Sequence, residues 1–164
     1  MNRISALALC LLLAPGVAAA QATGTKVAFG AIKADPTLPV EVTADTLDVN
    51  QSDGSAEFKG NVLVGQGEMR LSAKRVLVIY NQDNSGVERL EAVGDVVLVN
   101  GPDAAQAERA DYSIGSGVIV MTGDVLLTQG PNALTSDKMT VNLTTGTANM
   151  AGRVKTILQA DDNE

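Results

Sequence analysis

The chain has 164 residues, with 12 Lys+Arg against 19 Asp+Glu, no histidine, no tryptophan and 2% aromatic residues. That length suits one domain with a core of its own. The acidic balance and the lack of a basic patch or aromatic RNP-like motif argue against nucleic acid as a partner, and the absence of histidine removes the commonest general base and metal ligand. No catalytic residue, metal ligand or cofactor is expected.

The first 20 residues read as a cleaved signal peptide. Met1-Asn2-Arg3 is a short positive start, Ile4 to Ala14 is apolar, and Ala18-Ala19-Ala20 fits a small-residue cleavage site. The apolar run is too short for a permanent membrane span. Ala20-Gln21-Ala22 offers a second cleavage point. The single cysteine, Cys10, follows the bulky Leu9 rather than a small residue, so it reads as a passive member of the apolar run and not as a lipid anchor. The mature chain then has no thiol and no disulfide. Residues 21–39, with Pro36 and Pro39, are expected to form a flexible leader, 40–158 the folded domain and 159–164 an acidic tail.

From residue 40 the pattern is that of strands. Val40 and Val42 alternate with Glu41 and predict an edge strand. Residues 44–64 form the first complete unit: Leu47 and Val49, a polar turn cluster at 51–55, then Ala56, Phe58, Gly60, Val62 and Val64 at alternate positions. The unit recurs. Its starts are Ala44-Asp45, Ala73-Lys74, Ala107-Glu108 and Ser136-Asp137, and its glycines lie in Gly60-Asn61-Val62, Gly94-Asp95-Val96, Gly123-Asp124-Val125 and Gly152-Arg153-Val154. Start and glycine are 16, 21, 16 and 16 residues apart, and each glycine precedes the next start by 13. The five extra residues of the second unit are expected in its turn at 81–86. A fixed period of about 29 residues marks stacked repeats that cannot bury their apolar faces alone.

Equivalent positions stay apolar. Three and five residues after the starts lie Leu47, Val76, Ala110 and Met139, then Val49, Val78, Tyr112 and Val141. Around the glycines come Ala56, Leu90, Ile119 and Ala148; Phe58, Ala92, Met121 and Met150; Val62, Val96, Val125 and Val154; and Val64, Leu98, Leu127 and Thr156, all apolar but the last. Alternation through the glycine predicts that it faces inward and lets a long strand bend there. Gly67, Gly101 and Gly130, each seven residues beyond a bend glycine, predict turns. About a dozen strands follow, all-β, with Val, Leu, Ile, Met and Phe on the inner face. Two readings of that face stay open: a filled sandwich core, or a groove left partly open for a lipid.

The elements ADTLDV, FKGNVLV, LSAKRVLVIY and VMTGDVLLTQG, in this order behind a signal peptide, resemble the OstA-like family over roughly residues 40–158. The resemblance implies a twisted, V-shaped antiparallel β-jellyroll of two sheets around an apolar groove that takes the acyl chains of lipopolysaccharide. It implies a periplasmic location and head-to-tail stacking through edge strands. The partners it implies are an inner-membrane extractor complex and an outer-membrane translocon with related jellyroll domains. By motif position, lipid contact falls on Val40 and Val42 of the first strand. It falls more loosely on the inner-face residues Leu47, Val49, Phe58, Val62, Val64, Val76, Val78, Val96, Leu98, Ile119, Met121, Val125, Leu127 and Val141. Sister members carry a membrane helix or a following barrel, so the free-standing member is the one implied; its last repeat stops soon after Gly152.

Residues 40–43 and 155–158 are the candidate joining edges. Lys59, Arg70, Lys74, Arg75, Arg89 and Arg109 suit either a solvated face or lipid phosphates, and Asp45, Asp95 and Asp124 read as turn residues rather than calcium ligands. Two other functional classes compete with lipid transport: a parallel β-helix enzyme acting on polysaccharide, and a purely structural self-assembling protein.

Overall fold

A computed structural model describes residues 24–29, 35, 37–50, 52, 54–83 and 86–158. The expected signal peptide and acidic tail lie outside the described residues, as does much of the leader. The strands are β1 (Thr25–Ala28), β2 (Glu41–Thr43), β3 (Thr46–Asn50), β4 (Ser55–Gln66), β5 (Met69–Tyr80), β6 (Val87–Asn100), β7 (Asp103–Ser113), β8 (Val118–Gln129), β9 (Asn132–Asn142), β10 (Thr147–Ala151) and β11 (Lys155–Ile157). They form one sheet in the order β1-β10-β9-β8-β7-β6-β5-β4-β2, with β3 also on β4 and β11 also on β9. Every pairing is antiparallel. The fold is therefore all-β as expected, and the parallel β-helix alternative is excluded.

Each repeat supplies a pair of strands, because β4 to β9 run unbroken across the bend. The bend itself is a row of bulges. Lys59 faces Arg75, yet Val62 faces Ala73, so β4 carries one residue more than β5 there. The same step separates Val93–Arg109 from Val96–Ala107 and Thr122–Lys138 from Val125–Ser136. The extra residue comes with two successive left-handed residues. Gly60 and Asn61 have φ of 77° and 46°, and the pattern recurs at Gly94-Asp95, Gly123-Asp124 and Gly152-Arg153. Asn and Asp tolerate this conformation better than other side chains, and such bulges sharpen local twist and bend.

One expectation is corrected here. The bend glycines do not point inward among the apolar residues. A Cβ on Gly60, Gly94, Gly123 or Gly152 would run into Asp45, Lys74, Glu108 or Asp137 on the outer side, because positive φ turns the Cβ direction away from the core. The inner alternation survives on β4 because Phe58 and Val62 are an even number of residues apart. It fails instead on the partner strands. Lys74 and Arg75 are consecutive exposed residues between buried Ala73 and Val76.

The row of bulges folds the sheet into two facing walls, so the two layers are halves of one sheet rather than separate sheets. The first wall carries β3, β10, β1 and the adjoining halves of β4 to β9; the second carries β2, β11 and the other halves. Gly67, Gly101 and Gly130 turn the chain at the second wall's tips with φ of 57°, 62° and 54°, where turns were expected. The five extra residues lengthen β5 and β6 as well as the turn 81–86.

The core lies between the walls. Leu71, Leu98 and Leu127 from the second wall and Ile119, Met121 and Met139 from the first are all at most 1% exposed; each such side chain contributes about 1.5–3 kcal/mol of burial. The leader is not uniformly loose. Within 21–39, Thr25–Ala28 forms β1 on the free edge of β10, and Phe29 beyond it is fully buried in the core.

Candidate functional site

The sixteen residues expected on the inner face separate into two groups. Val62, Val64, Val76, Val78, Val96, Leu98, Ile119, Met121, Val125, Leu127 and Val141 are buried in the closed middle of the core. Val40, Val42 and Phe58 are half-buried, and Leu47 and Val49 are 51% and 65% exposed. These five sit together at the β2/β3 end. Leu47 lies opposite Phe58, Val49 opposite Ala56, and Val42 opposite Val64, all on β4. There the two walls end in β2 and β3 with their inner edges uncovered, forming an apolar mouth. At the other end Val154, Ile157 and Leu158 are exposed, Leu158 by 72%.

The tips of the walls are tied by amide side chains. The Tyr112 hydroxyl on the first wall donates to Gln66 Oε1 on the second, and Gln66 Nε2 donates to the Leu38 carbonyl at 2.8 Å. Gln129 Nε2 donates to the Ala28 carbonyl at 2.6 Å and to Asp103 Oδ2 at 2.9 Å. The segment before β2 and the last residue of β1 are thus held against the second wall's tips. Burial pushes the Tyr112 hydroxyl pKa up to about 12, so it stays a donor. Sequence reasoning missed this row and Phe29. The signal was present: Gln66, Asn100 and Gln129 each stand immediately before a tip glycine, at one position of the repeat where Leu158 is the exception.

The outer face is occupied by ion pairs. Lys59 meets Asp48 at 2.9 Å and Glu57 at 2.8 Å, and Arg75 meets Glu57 at 3.2 Å. Arg89 and Arg109 share Glu91, and Arg109 also pairs with Asp111 at 2.8 Å. The hydrogen bonds that Arg109 donates to Asp111 and then to Glu91 raise its pKa further, and the one that Lys59 donates holds the Glu57 carboxyl below its ordinary range. Arg70 donates to the Met69 carbonyl at 2.8 Å. The basic residues considered for phosphate contact are therefore engaged with their own sheet.

Along the bend the outward residues form rungs. Asn61 donates to Asp45 at 2.8 Å, Lys74 meets Asp95 at 2.7 Å, and Arg153 meets Asp137 at 2.5 Å. The remaining rung sets Glu108 over Gly123, next to Asp124; it brings together two acids, and Asp124 feels a cation, Arg153, from the next rung. Asp45, Asp95 and Asp124 are thus bend residues.

Known proteins resemble this chain in fold or in sequence. LptH from Pseudomonas aeruginosa, described as the LptA-homologous periplasmic component of the conserved lipopolysaccharide transport device, superimposes with a TM-score of 0.69 at 19% identity, over 77% of this chain and 99% of that one. That likeness is one of fold. The lipopolysaccharide export system protein LptA of Haemophilus influenzae is 27% identical over 99 residues, 56% of this chain. An uncharacterized protein of Rhizobium meliloti is 29% identical over 116 residues, 66% of this chain. The matches span 58% and 61% of those two relatives' own lengths. The family model for the LptA/(LptD N-terminal domain) LPS transport protein matches residues 41–147. Over that span, from the strand at the apolar mouth to the first residue of β10, the chain belongs to the LptA/LptD N-terminal domain family, whose members are lipopolysaccharide transport proteins and not enzymes.

Proposed function

We propose that the chain is a periplasmic lipopolysaccharide carrier that shields acyl chains against the inner faces of its walls and passes them along a head-to-tail bridge between the membranes. The observation that carries this reading is the uncovered apolar mouth formed by Val40, Val42, Leu47, Val49 and Phe58 in a member of a lipopolysaccharide transport family. A twelve-carbon acyl chain exposed to water costs about 9–10 kcal/mol, at about 0.8 kcal/mol per methylene. A carrier must therefore cover the chain throughout transit. The mouth gives first contact, and the buried inner residues from Val62 to Val141 meet the lipid as it enters between the walls. Entry exchanges wall-to-wall packing for wall-to-lipid packing. The cost beyond that is the parting of tip contacts such as Tyr112–Gln66.

The uncovered strands β2 and β3 at one end and β11 at the other supply the joining edges, since unpaired edges template further strands. The same edges would place the chain between an inner-membrane extractor complex and an outer-membrane translocon built on related domains. Residues 1–20 as a cleaved signal and 40–158 as the working domain belong to this proposal.

A photoreactive residue at Leu47 or Val49 tests the reading. Irradiation with lipopolysaccharide should give a lipid adduct at either site. A folded protein that gives no adduct at any of the five mouth positions overturns it, and persistent end-to-end assembly in such a protein would favour the purely structural alternative.

A further inference from the structure

The two walls end unevenly. The second wall finishes at β11, whereas the first carries one strand more, β1 on β10. The register of that additional strand is informative. On β4, the next strand β5 sets Val76, Leu77, Val78 and Ile79 opposite Phe58, Glu57, Ala56 and Ser55. On β10, β1 sets Thr25, Lys26, Val27 and Ala28 opposite Met150, Asn149, Ala148 and Thr147. Counted back from Gly60 and Gly152, these two sets of partners are the same repeat positions. Hence β1 lies in the direction and register of the strand that would open a fifth repeat.

The chain contains such an opening strand with a free edge. Counted from the repeat starts, Leu47 to Asn50 of β3 correspond to Val76 to Ile79 of β5. Resting on the end-to-end assembly proposed above, we infer that β1 is a stand-in for β3 of a second copy, and that stacking proceeds by exchange of the one strand for the other. The incoming β3 sets Asp48 opposite Asn149 and lays the exposed Leu47 and Val49 over Met150 and Ala148. On the second wall the same superposition sets Thr43 of the second copy opposite Lys155 and brings Val40 over the exposed Leu158, where no described strand lies. The bend row continues in charge as well, because Asp45 of the second copy arrives beside Arg153. β1 is suited to removal: it has four residues, three of them exposed, and beyond its pairing with β10 it is held by Phe29 in the core and by Gln129 on the Ala28 carbonyl.

Cys10, the sole cysteine, lies in the expected signal peptide, so engineered thiols report without background. Single variants Asp48→Cys and Asn149→Cys are mixed under mild oxidation, and Thr43→Cys is mixed with Lys155→Cys in parallel. Strand exchange predicts disulfide-linked pairs of chains in the Asp48/Asn149 mixture, with or without those in the other. Crosslinking in the Thr43/Lys155 mixture alone overturns the exchange and leaves the assembly standing. Crosslinking in neither overturns the assembly and the exchange with it. A chain carrying Lys26→Cys and Asn149→Cys, oxidised to hold β1 in place, should assemble at least about tenfold more weakly than when reduced, the worth of roughly one hydrogen-bonded contact. Equal assembly of the two forms also overturns the exchange.

Discussion

The Tyr112 hydroxyl, on β7 of the first wall, donates to the Gln66 side chain at the end of β4 on the second, a buried hydrogen bond that spans the core from one half of the sheet to the other. Tyr112→Phe removes the donor without removing the ring. The expected loss is about 1–3 kcal/mol, read as a lower urea midpoint with an unchanged slope. If walls part at these tips when lipid enters, the same variant loads lipopolysaccharide faster than the parent in a stopped-flow assay.

The same hydroxyl gives stability a high-pH limb. Its pKa rises from 10.0 to about 12 on folding because burial disfavours the phenolate. Below pH 10 both states are protonated and the contribution is complete. Between pH 10 and about 12 the unfolded chain ionises first, so stability falls as pH rises, by about 1.4 kcal/mol per unit. Chemical denaturation from pH 9 to 12 should show this slope in the parent and its loss in Tyr112→Phe.

Mouth and middle should respond differently to the same substitution. Val96→Asp places a carboxylate in a position with no exposure and is expected to unfold the domain, several kcal/mol being lost. Val49→Asp leaves its side chain in water, so stability should change by less than about 0.5 kcal/mol while lipopolysaccharide binding falls. Retained binding in folded Val49→Asp would remove the mouth from the site.

The rung formed by Glu108 and Asp124 should be improvable. Glu108→Lys recreates the Lys74–Asp95 arrangement and is expected to stabilise by a few tenths to about 1 kcal/mol, the range of exposed pairs. The gain should shrink in 1 M salt. An equal gain at both ionic strengths would assign it to packing rather than charge.

Gly123→Ala tests the bend. At φ of 84° the new Cβ is strained and is directed at the Glu108 side chain; the expected cost is about 1–3 kcal/mol. Thermal melts of Gly123→Ala in the parent and in a Glu108→Gly background, each read against its own Gly123 form, separate the two causes, since only glycine removes the Glu108 Cβ as well as the atoms beyond it. A steric contribution is relieved in the double variant, and backbone strain is not.

The residues alone were enough for the all-β class, the repeat, the turns at Gly67, Gly101 and Gly130, and the alternating apolar positions of β2 to β9. Alternation and spacing are local properties, and each repeat restates them. The family was also legible, because four degenerate motifs in order are specific together. Tertiary structure alone decided how far the walls close, since that depends on facing side chains far apart in sequence. Leu98 is sealed and Val49 open, although both occupy inner positions of the same pattern. It also decided the glycines' orientation. Alternation assumes one conformation throughout, and two left-handed residues in succession turn Gly60 outward toward Asp45 while Phe58 and Val62 stay inside. The place of β1 was hidden for a related reason: Thr25 to Ala28 is too short to show a period, and a partner more than a hundred residues away gives it its structure.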